Sequence, residues 1–572
     1  MLEMRQAAPL SFSPDGRELL VASNVPGTNQ LFAVPLDGSE PRQLTDFEEA
    51  VTGQFLPDGR VLVERDSGGN ERTQLYVGDE PLVVDPEYKH DTPKAAGSTL
   101  AYVTNRRNGV DFDVVARDLS TGGEHTFELG GYLTVAAVSG DGLLVVAERT
   151  GERSGDNDLF LCDVETGEVV RLTPHDEPAH YATPCWIGHS LAWATNEGRD
   201  TLAIVRDGVV VVESEWDLLC AADKVGRNLL VHENADGYSR LTLYDPSTME
   251  VRGDVALPGR GVVESPVFSP DGTLLAFGFS TATEPFDVYV HEVGEGRTNR
   301  LTRSPREVDV ASLLPPELHR FESFDGESVP VFLFTPEGEG PFPVVVMVHG
   351  GPEAQWLPQW HPNYAPLTQH LLARGYAVAI PNVRGSTGYG RRYEHLDDIR
   401  LRLNSVRDLA SLHEWLGARP EIDVSRAVVY GRSYGGYMVL AALAFQPELW
   451  AAGIEAVGIS SFVTFLENTS PYRRAARERE YGSLEHDRDF LEEASPITHV
   501  DAIRAPLFIQ HGANDPRVPL GESEEIARVL GEKGIRCELV VYADEGHSIA
   551  KLGNRIDSFT RAVAFLDEVL GS

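Results

Sequence analysis

Three residue types that together can open an acyl bond follow one another near the C-terminus. They are Ser433 in Gly431-Arg432-Ser433-Tyr434-Gly435, Asp515 in Asn514-Asp515-Pro516, and His547 in Glu545-Gly546-His547. A serine hydroxyl is a weak nucleophile at neutral pH, so it needs an imidazole to take its proton. The imidazole in turn needs a carboxylate to hold its tautomer and stabilise its cation. The pentapeptide around Ser433 fits G-x-S-x-G, a sharp strand-to-helix turn that lifts a hydroxyl above a parallel sheet. The order serine, acid, histidine is that of the α/β-hydrolases.

The flanking sequence supplies the elements that such a site needs. Ala427-Val428-Val429-Tyr430 reads as a buried strand before the turn, and Tyr437 to Ala444 as a buried helix after it, ending before Pro447. Pro506 to His511 is a second predicted strand, with Asp515 in the loop that follows. Cys537 to Tyr542 is a third, and His547 lies in the loop after it. Catalytic groups in open α/β sheets sit at the carboxyl ends of strands. Asp544 and Glu545 compete with Asp515 as the acid, but no strand separates them from His547. The plainer alternatives are a turn-forming aspartate before a proline and a surface-loop histidine. A tetrahedral intermediate also needs two fixed N–H donors. The amide of Tyr434 is one expected donor, and that of Gly351, in His349-Gly350-Gly351-Pro352 after the apolar run Val344 to Val348, is the other. The alternative is a glycine turn that merely reverses the chain.

The N-terminal half repeats. Phe12-Ser13-Pro14-Asp15-Gly16 returns as Phe55-Leu56-Pro57-Asp58-Gly59 and Phe268-Ser269-Pro270-Asp271-Gly272. With weaker copies, the turn glycines Gly16, Gly59, Gly97, Gly142, Gly188, Gly226 and Gly272 are 43, 38, 45, 46, 38 and 46 residues apart. Several units end in the same way, as Arg42-Gln43-Leu44-Thr45, Arg171-Leu172-Thr173 and Arg300-Leu301-Thr302. A period near 40 with about four short strands per unit indicates a β-propeller rather than a sandwich. The expected architecture is therefore two domains: a seven-bladed β-propeller over residues 1–315 and an α/β-hydrolase domain over 316–572.

Composition bounds the rest. At 572 residues the chain exceeds the size at which single cores stop growing. It has no apolar run long enough for a membrane helix and opens without a signal-peptide core, so a cytoplasmic location is expected. Cys162, Cys185, Cys220 and Cys537 are scattered and form no C-x-x-C, which reads as buried reduced thiols. His413-Glu414 lacks the second histidine of H-E-x-x-H, and neither a metal site nor a cofactor loop is legible. The net charge is −39, of which residues 316–572, with 24 Lys+Arg against 36 Asp+Glu, hold −12 and residues 1–315 hold −27. Nucleic acid is thereby a poor partner. The acidic propeller suits cationic or neutral substrates, or serves solubility alone.

A propeller followed by His349-Gly350-Gly351-Pro352, by Pro381-Asn382-Val383-Arg384-Gly385-Ser386-Thr387-Gly388-Tyr389-Gly390 and by Gly431-Arg432-Ser433-Tyr434-Gly435-Gly436-Tyr437-Met438 resembles the prolyl oligopeptidase family of serine peptidases, in particular its acylaminoacyl-peptidase branch. The resemblance implies hydrolysis of short peptides, with release of N-terminal (acyl-)amino acids and without a cofactor. It gives Arg517 a role in holding a substrate carbonyl, the alternative being a surface arginine paired with a nearby carboxylate, and it suggests Phe462 and Phe465 as an apolar wall for the side chain at the cleaved bond; ordinary core residues are the alternative for the pair. Homo-oligomers are possible. Relatives often carry an N-terminal helix on the hydrolase domain, whereas this sequence begins almost at once with blade one. A carboxylesterase or amidase using the same three residues is the rival activity, and a non-enzymatic propeller scaffold the rival class. If His547 is the base, kcat/KM is expected to fall near the ordinary histidine pKa of ~6.5.

Overall fold

The computed structural model describes residues 1–571. The first three hundred form seven four-stranded antiparallel sheets: Ala7–Gln43, Thr52–Val83, His90–Phe127, Leu133–Arg171, Tyr181–Val212, Asp217–Asp254 and Val262–Arg300. The seven repeat glycines all sit in the turn between the first two strands of a blade, with φ between +55° and +86°, where a Cβ would be strained. The rest of the motif closes that turn. Ser13 Oγ donates to Asp15 Oδ1 at 2.7 Å and accepts the Glu18 N–H at 3.0 Å, and Ser269 does the same with Asp271 and Leu274. The threonine of each Leu-Thr ending also has a common function. Thr45, Thr173 and Thr302 each accept a third-strand N–H, from Leu31, Leu159 and Val288, at 2.9 Å. Each blade is built from consecutive strands. The first and last blades meet through apolar packing of Ala7, Phe12 and Val21 on Ala276, Val288 and Val290. The cysteines are less scattered in space than in sequence: the Cys185 and Cys220 sulfurs, from neighbouring blades, lie 3.7 Å apart.

The C-terminal part is one eight-stranded sheet with helices on both faces. Its strands are β1 (Glu317–Glu322), β2 (Ser328–Phe334), β3 (Phe342–Val348), β4 (Ala377–Pro381), β5 (Ile422–Arg432), β6 (Ala452–Ala456), β7 (Leu507–Gly512) and β8 (Cys537–Tyr542). Their order is β1-β2-β4-β3-β5-β6-β7-β8; β1, β2 and β4 pair antiparallel, and from β4 to β8 all neighbours are parallel. Strands covered on both faces should be apolar throughout, and β3 is buried at every position. Its Val344, Val346 and Val348 join one core and Val345 and Met347 the other, the alternation that a pleated strand imposes. This is the α/β-hydrolase arrangement, and it brings the ends of β3, β5, β7 and β8 to one edge.

The propeller docks on that edge. Asn234 Nδ2 donates to Gln355 Oε1 at 2.7 Å, Ser154 Oγ to Glu480 Oε2 at 2.6 Å, and Arg391 Nη1 to the Pro178 carbonyl at 2.7 Å. The N-terminal residues also reach the hydrolase domain without forming a helix: buried Met4 packs on Leu313 and Trp360, and the Leu2 carbonyl accepts from Arg555 Nη2 at 3.1 Å.

Candidate active site

The turn after β5 explains the glycines around Ser433. Ser433 adopts φ +59°, ψ −121°, a strained conformation for a non-glycine residue. It is held by its N–H on the Ala456 carbonyl at 2.9 Å and by its own carbonyl on the Tyr437 N–H at 3.0 Å. A Cβ on Gly431 would overlap the Gly435 backbone, and one on Gly435 would overlap the Val348 carbonyl. The helix Tyr434–Phe445 that follows is buried almost all round, which anchors the turn.

His547 and Asp515 meet Ser433 from two other strand ends. The Asp515 carboxylate can only accept, so His547 Nδ1–H donates to Asp515 Oδ2 at 2.7 Å, which leaves Nε2 to accept from Ser433 Oγ at 3.1 Å. Asp515 Oδ1 accepts the N–H groups of Arg517 at 2.8 Å and Val518 at 3.1 Å. Burial alone would raise the Asp515 carboxyl, but the charge and hydrogen bond of His547, with these backbone donors, hold it below the usual carboxylate range. For His547 burial wins: it pushes the imidazole below its ordinary value, against the pull of Asp515. Asp544 and Glu545 are used elsewhere. Asp544 pairs with Lys551 at 2.8 Å, while Glu545 accepts the N–H groups of Ala550 and Lys551 at 2.9 and 3.0 Å.

One expected oxyanion donor, the amide of Tyr434, directly follows Ser433, and the other, that of Gly351, follows Gly350, which packs against Ser433. The Tyr434 N–H begins its helix, and neither it nor the Gly351 N–H has a partner among the described residues. Gly350 packs so closely that a Cβ there would stand 3.3 Å from the Ser433 Cβ. A carbonyl can only accept, so His349 Nδ1–H donates to Gly350 O, at 2.8 Å. The trans peptide then aims the Gly351 N–H away from His349. Buried His349 is kept neutral and is also tied to Ser386, with Nε2 2.9 Å from its Oγ.

Sequence reading missed the support behind these donors. The Tyr434 phenol donates to Asp397 Oδ2 at 3.0 Å and lies 2.8 Å from Ser405 Oγ. Fully buried Arg402 pairs with both Asp397 and Glu480, and Glu480 accepts from Ser154 of the propeller. Asp397, Asp398 and Glu480 present oxygens within 4.8 Å of one another, but the Arg402 guanidinium already supplies the positive charge there. Nothing local marks these residues, because a lone arginine in a polar helix has no period or motif.

Phe462 and Phe465 are buried in an aromatic cluster. The Phe462 ring is 4.5 Å from Tyr437 and 4.7 Å from Tyr481, and Phe465 is 5.9 Å from Tyr481. The Tyr481 hydroxyl donates to Gly351 O at 3.4 Å, so the cluster stands directly behind the Gly350–Gly351 loop. Arg517 is half-exposed and pairs through Nε with Glu71 Oε1 of blade two at 2.6 Å, so the carboxylate pairing expected as its alternative is present, with a partner from the propeller. A cavity of about 400 Å³ between blades one and two and the His547 loop reaches His547 itself. Glu48, Glu49, Glu64, Glu71 and Asp544 line it, against Arg65 and Lys551. Arg65 stacks on Phe47 and Tyr76, and Lys551 is held by Asp544. A larger cavity of about 560 Å³, around Trp186 and Trp193, has only propeller walls.

Comparison with known proteins agrees with this architecture. Residues 362–572 match the prolyl oligopeptidase family. The dipeptidyl aminopeptidase BIII of Pseudoxanthomonas mexicana is 27% identical over 99% of this chain and 87% of its own length. The human acylamino-acid-releasing enzyme is 26% identical over 45% of this chain and 36% of its own. Among solved structures, a puromycin-hydrolyzing peptidase of Mycobacterium tuberculosis superposes with a TM-score of 0.83 over 100% of this chain and 95% of that one, at 22% identity. With its seven-bladed propeller and its α/β-hydrolase domain, the chain is similar to the prolyl oligopeptidase family of serine peptidases, whose model matches its hydrolase domain.

Proposed function

We propose that the chain hydrolyses short peptides through an acyl-enzyme on Ser433, with His547 as general base and Asp515 as its orienting acid. The observation that carries this reading is the relay from Ser433 Oγ to His547 Nε2 at 3.1 Å and from His547 Nδ1 to Asp515 Oδ2 at 2.7 Å. Ser433 attacks the carbonyl, and the N–H groups of Tyr434 and Gly351 hold the developing oxyanion. His547 passes the proton to the leaving amine, and water then releases the acyl group. Arg517 binds a substrate carbonyl on the acyl side, its fixed donors suiting that acceptor. Phe462 and Phe465 back the wall of the adjoining pocket. Docking of the propeller on the site edge supports selection of short peptides over folded proteins.

The acyl fragment that water releases last is an N-terminal unit, and two forms of it are distinguishable. An acylaminoacyl-peptidase takes a blocked, neutral N-terminus. A dipeptidyl aminopeptidase, the activity named for the relative that aligns with nearly the whole chain, takes a free one. Glu48, Glu49 and Glu71 around the His547 cavity favour the second, because a protonated amine is drawn to them and an acetylated one is not, whereas burial pushes Glu64 up to about 8 and keeps it neutral.

Matched peptides with free and acetylated N-termini separate the two, with Ser433→Ala as control. Removing the nucleophile should lower kcat by roughly 10⁴–10⁶. Preference for the acetylated peptide supports acyl-amino-acid release, and preference for the free peptide supports the aminopeptidase. Ester hydrolysis with no peptide cleavage would return the argument to a carboxylesterase.

A further inference from the structure

The helix Pro471–Tyr481 reaches from one loop of the candidate site to another. At its start, Ser470 Oγ donates to the Pro516 carbonyl at 2.7 Å and Thr469 Oγ1 to the Arg517 carbonyl at 2.8 Å. Pro516 and Arg517 are the two residues that follow Asp515. At its end, the Tyr481 hydroxyl donates to Gly351 O at 3.4 Å. Residues four apart share a face of a helix. Arg473, Arg477 and Tyr481 therefore form a row that runs from the acid loop to the oxyanion loop.

The two arginines of that row differ. Arg477 has an anion, since its Nη2 lies 3.3 Å from Glu353 Oε2, two residues beyond Gly351. Arg473 forms no ion pair among the described residues, and its Nε is buried without an acceptor. The other arginines of the helix are occupied too: Arg474 Nη2 donates to the Glu467 carbonyl at 2.6 Å and Arg479 Nη1 to the Gly151 carbonyl at 2.5 Å. Glu71, whose charge reaches Arg473, is taken by Arg517 at 2.6 Å. Burial, and then the like charges of Arg517 and Arg477, push the Arg473 guanidinium below the ordinary arginine value, yet an arginine stays charged at any working pH. A half-buried cation among like charges is costly until an anion completes it. With 88 Asp+Glu against 49 Lys+Arg, the chain has no shortage of carboxylates, so an unpaired arginine beside the site calls for a partner from outside it.

We propose that Arg473 is a specificity-determining residue that pairs with a carboxylate of the substrate, an acidic side chain in the acyl portion of the peptide. The proposal rests on the reading of Ser433, His547, Asp515 and Arg517 given above. In that reading Arg517 holds a backbone carbonyl and uses its Nε on Glu71, whereas Arg473 keeps its donors for a side chain. A guanidinium meets a carboxylate through two parallel N–H donors, and it has no such match with the neutral amide of glutamine.

The test uses matched peptides and the full chain. One series carries Glu or Gln at the residue whose carbonyl is attacked, and the other carries Glu or Gln at the residue before it. The parent should favour Glu over Gln about tenfold or more in kcat/KM in one of the two series. Arg473→Gln should abolish that preference, and Arg473→Lys, which keeps the charge but not the fork, should retain part of it. Arg474→Gln removes a charge from the same helix at a side chain that turns to Glu467, and it should keep the parent preference. The preference is a ratio measured within one enzyme, so a variant that folds less well lowers both rates and leaves the ratio readable. A parent without Glu preference in either series overturns the proposal, as does a preference that survives in Arg473→Gln. Equal loss of preference in Arg474→Gln overturns it too, since net charge alone would then be at work. Failure of the parent to cleave any of the peptides, or full activity in Ser433→Ala, refutes the reading of the site itself, and the proposal falls with it.

Discussion

The Tyr434 phenol donates to Asp397 Oδ2 at 3.0 Å, although the backbone N–H of Tyr434 is the group proposed to meet the oxyanion. The side chain is thus an anchor for its own amide. Asp397 is held by Arg402, Arg402 by Glu480, and Glu480 by Ser154, so the anchor runs through buried charge to the propeller. Tyr434→Phe keeps the N–H and removes the anchor. Outright loss of an oxyanion donor costs about 10²–10³ in kcat, and the variant should lose less than that, mostly in kcat. Steady-state kinetics on one peptide would show it; unchanged kcat would make the phenol a packing group only.

Arg402 is the keystone of that chain, and breaking a buried pair by removing one partner costs about 3–5 kcal/mol. Arg402→Met removes the cation that Asp397 and Glu480 share, so a fall in stability of that order is expected from chemical denaturation. A near-neutral result would show that the carboxylates take up protons and tolerate the loss.

His547 must be neutral to accept the proton of Ser433. Burial lowers its pKa, so it stays neutral to a lower pH than an ordinary histidine. The acid limb of kcat/KM should therefore centre below 6.5, and this corrects the value that the sequence alone suggested. A limb centred at or above 6.5 would count against His547 as the base.

Arg517, two residues after Asp515, is proposed to hold a substrate carbonyl and is paired with Glu71. Arg517→Ala should raise KM for peptides several-fold and change turnover of a small p-nitrophenyl ester much less, since the ester has no second carbonyl to hold. Parallel losses on both would exclude a peptide-binding role.

Glu455 is fully buried beneath the nucleophile helix. Its Oε2 accepts the Gly458 N–H at 2.7 Å, and burial pushes the carboxyl up to about 8. The folded state then holds a proton that the unfolded chain releases near 4.5, so stability from this group is present at low pH and is lost as pH rises toward 8. Glu455→Gln removes that dependence. The melting temperature of the variant, relative to the parent, should climb between pH 5 and pH 8; a constant difference would refute the shift.

Much of this protein is written locally. Turn glycines at a near-constant spacing need only their own hairpins, and each falls between the first two strands of a blade. The apolar runs before Ser433 and Asp515 become the buried second half of β5 and all of β7, as strands covered on both faces should be apolar, while the run before His547 becomes β8, a half-exposed edge strand. Residue type and order were thus enough to name the nucleophile, acid, base and both oxyanion donors as candidates. The tertiary structure decided everything that depends on partners far away in the chain. It set Glu71 against Arg517, Gly69 against Gly546, Ser154 against Glu480 and Cys185 beside Cys220. Such contacts arise when one finished surface docks on another, and a buried charge that finds its partner there leaves no period or motif in the sequence.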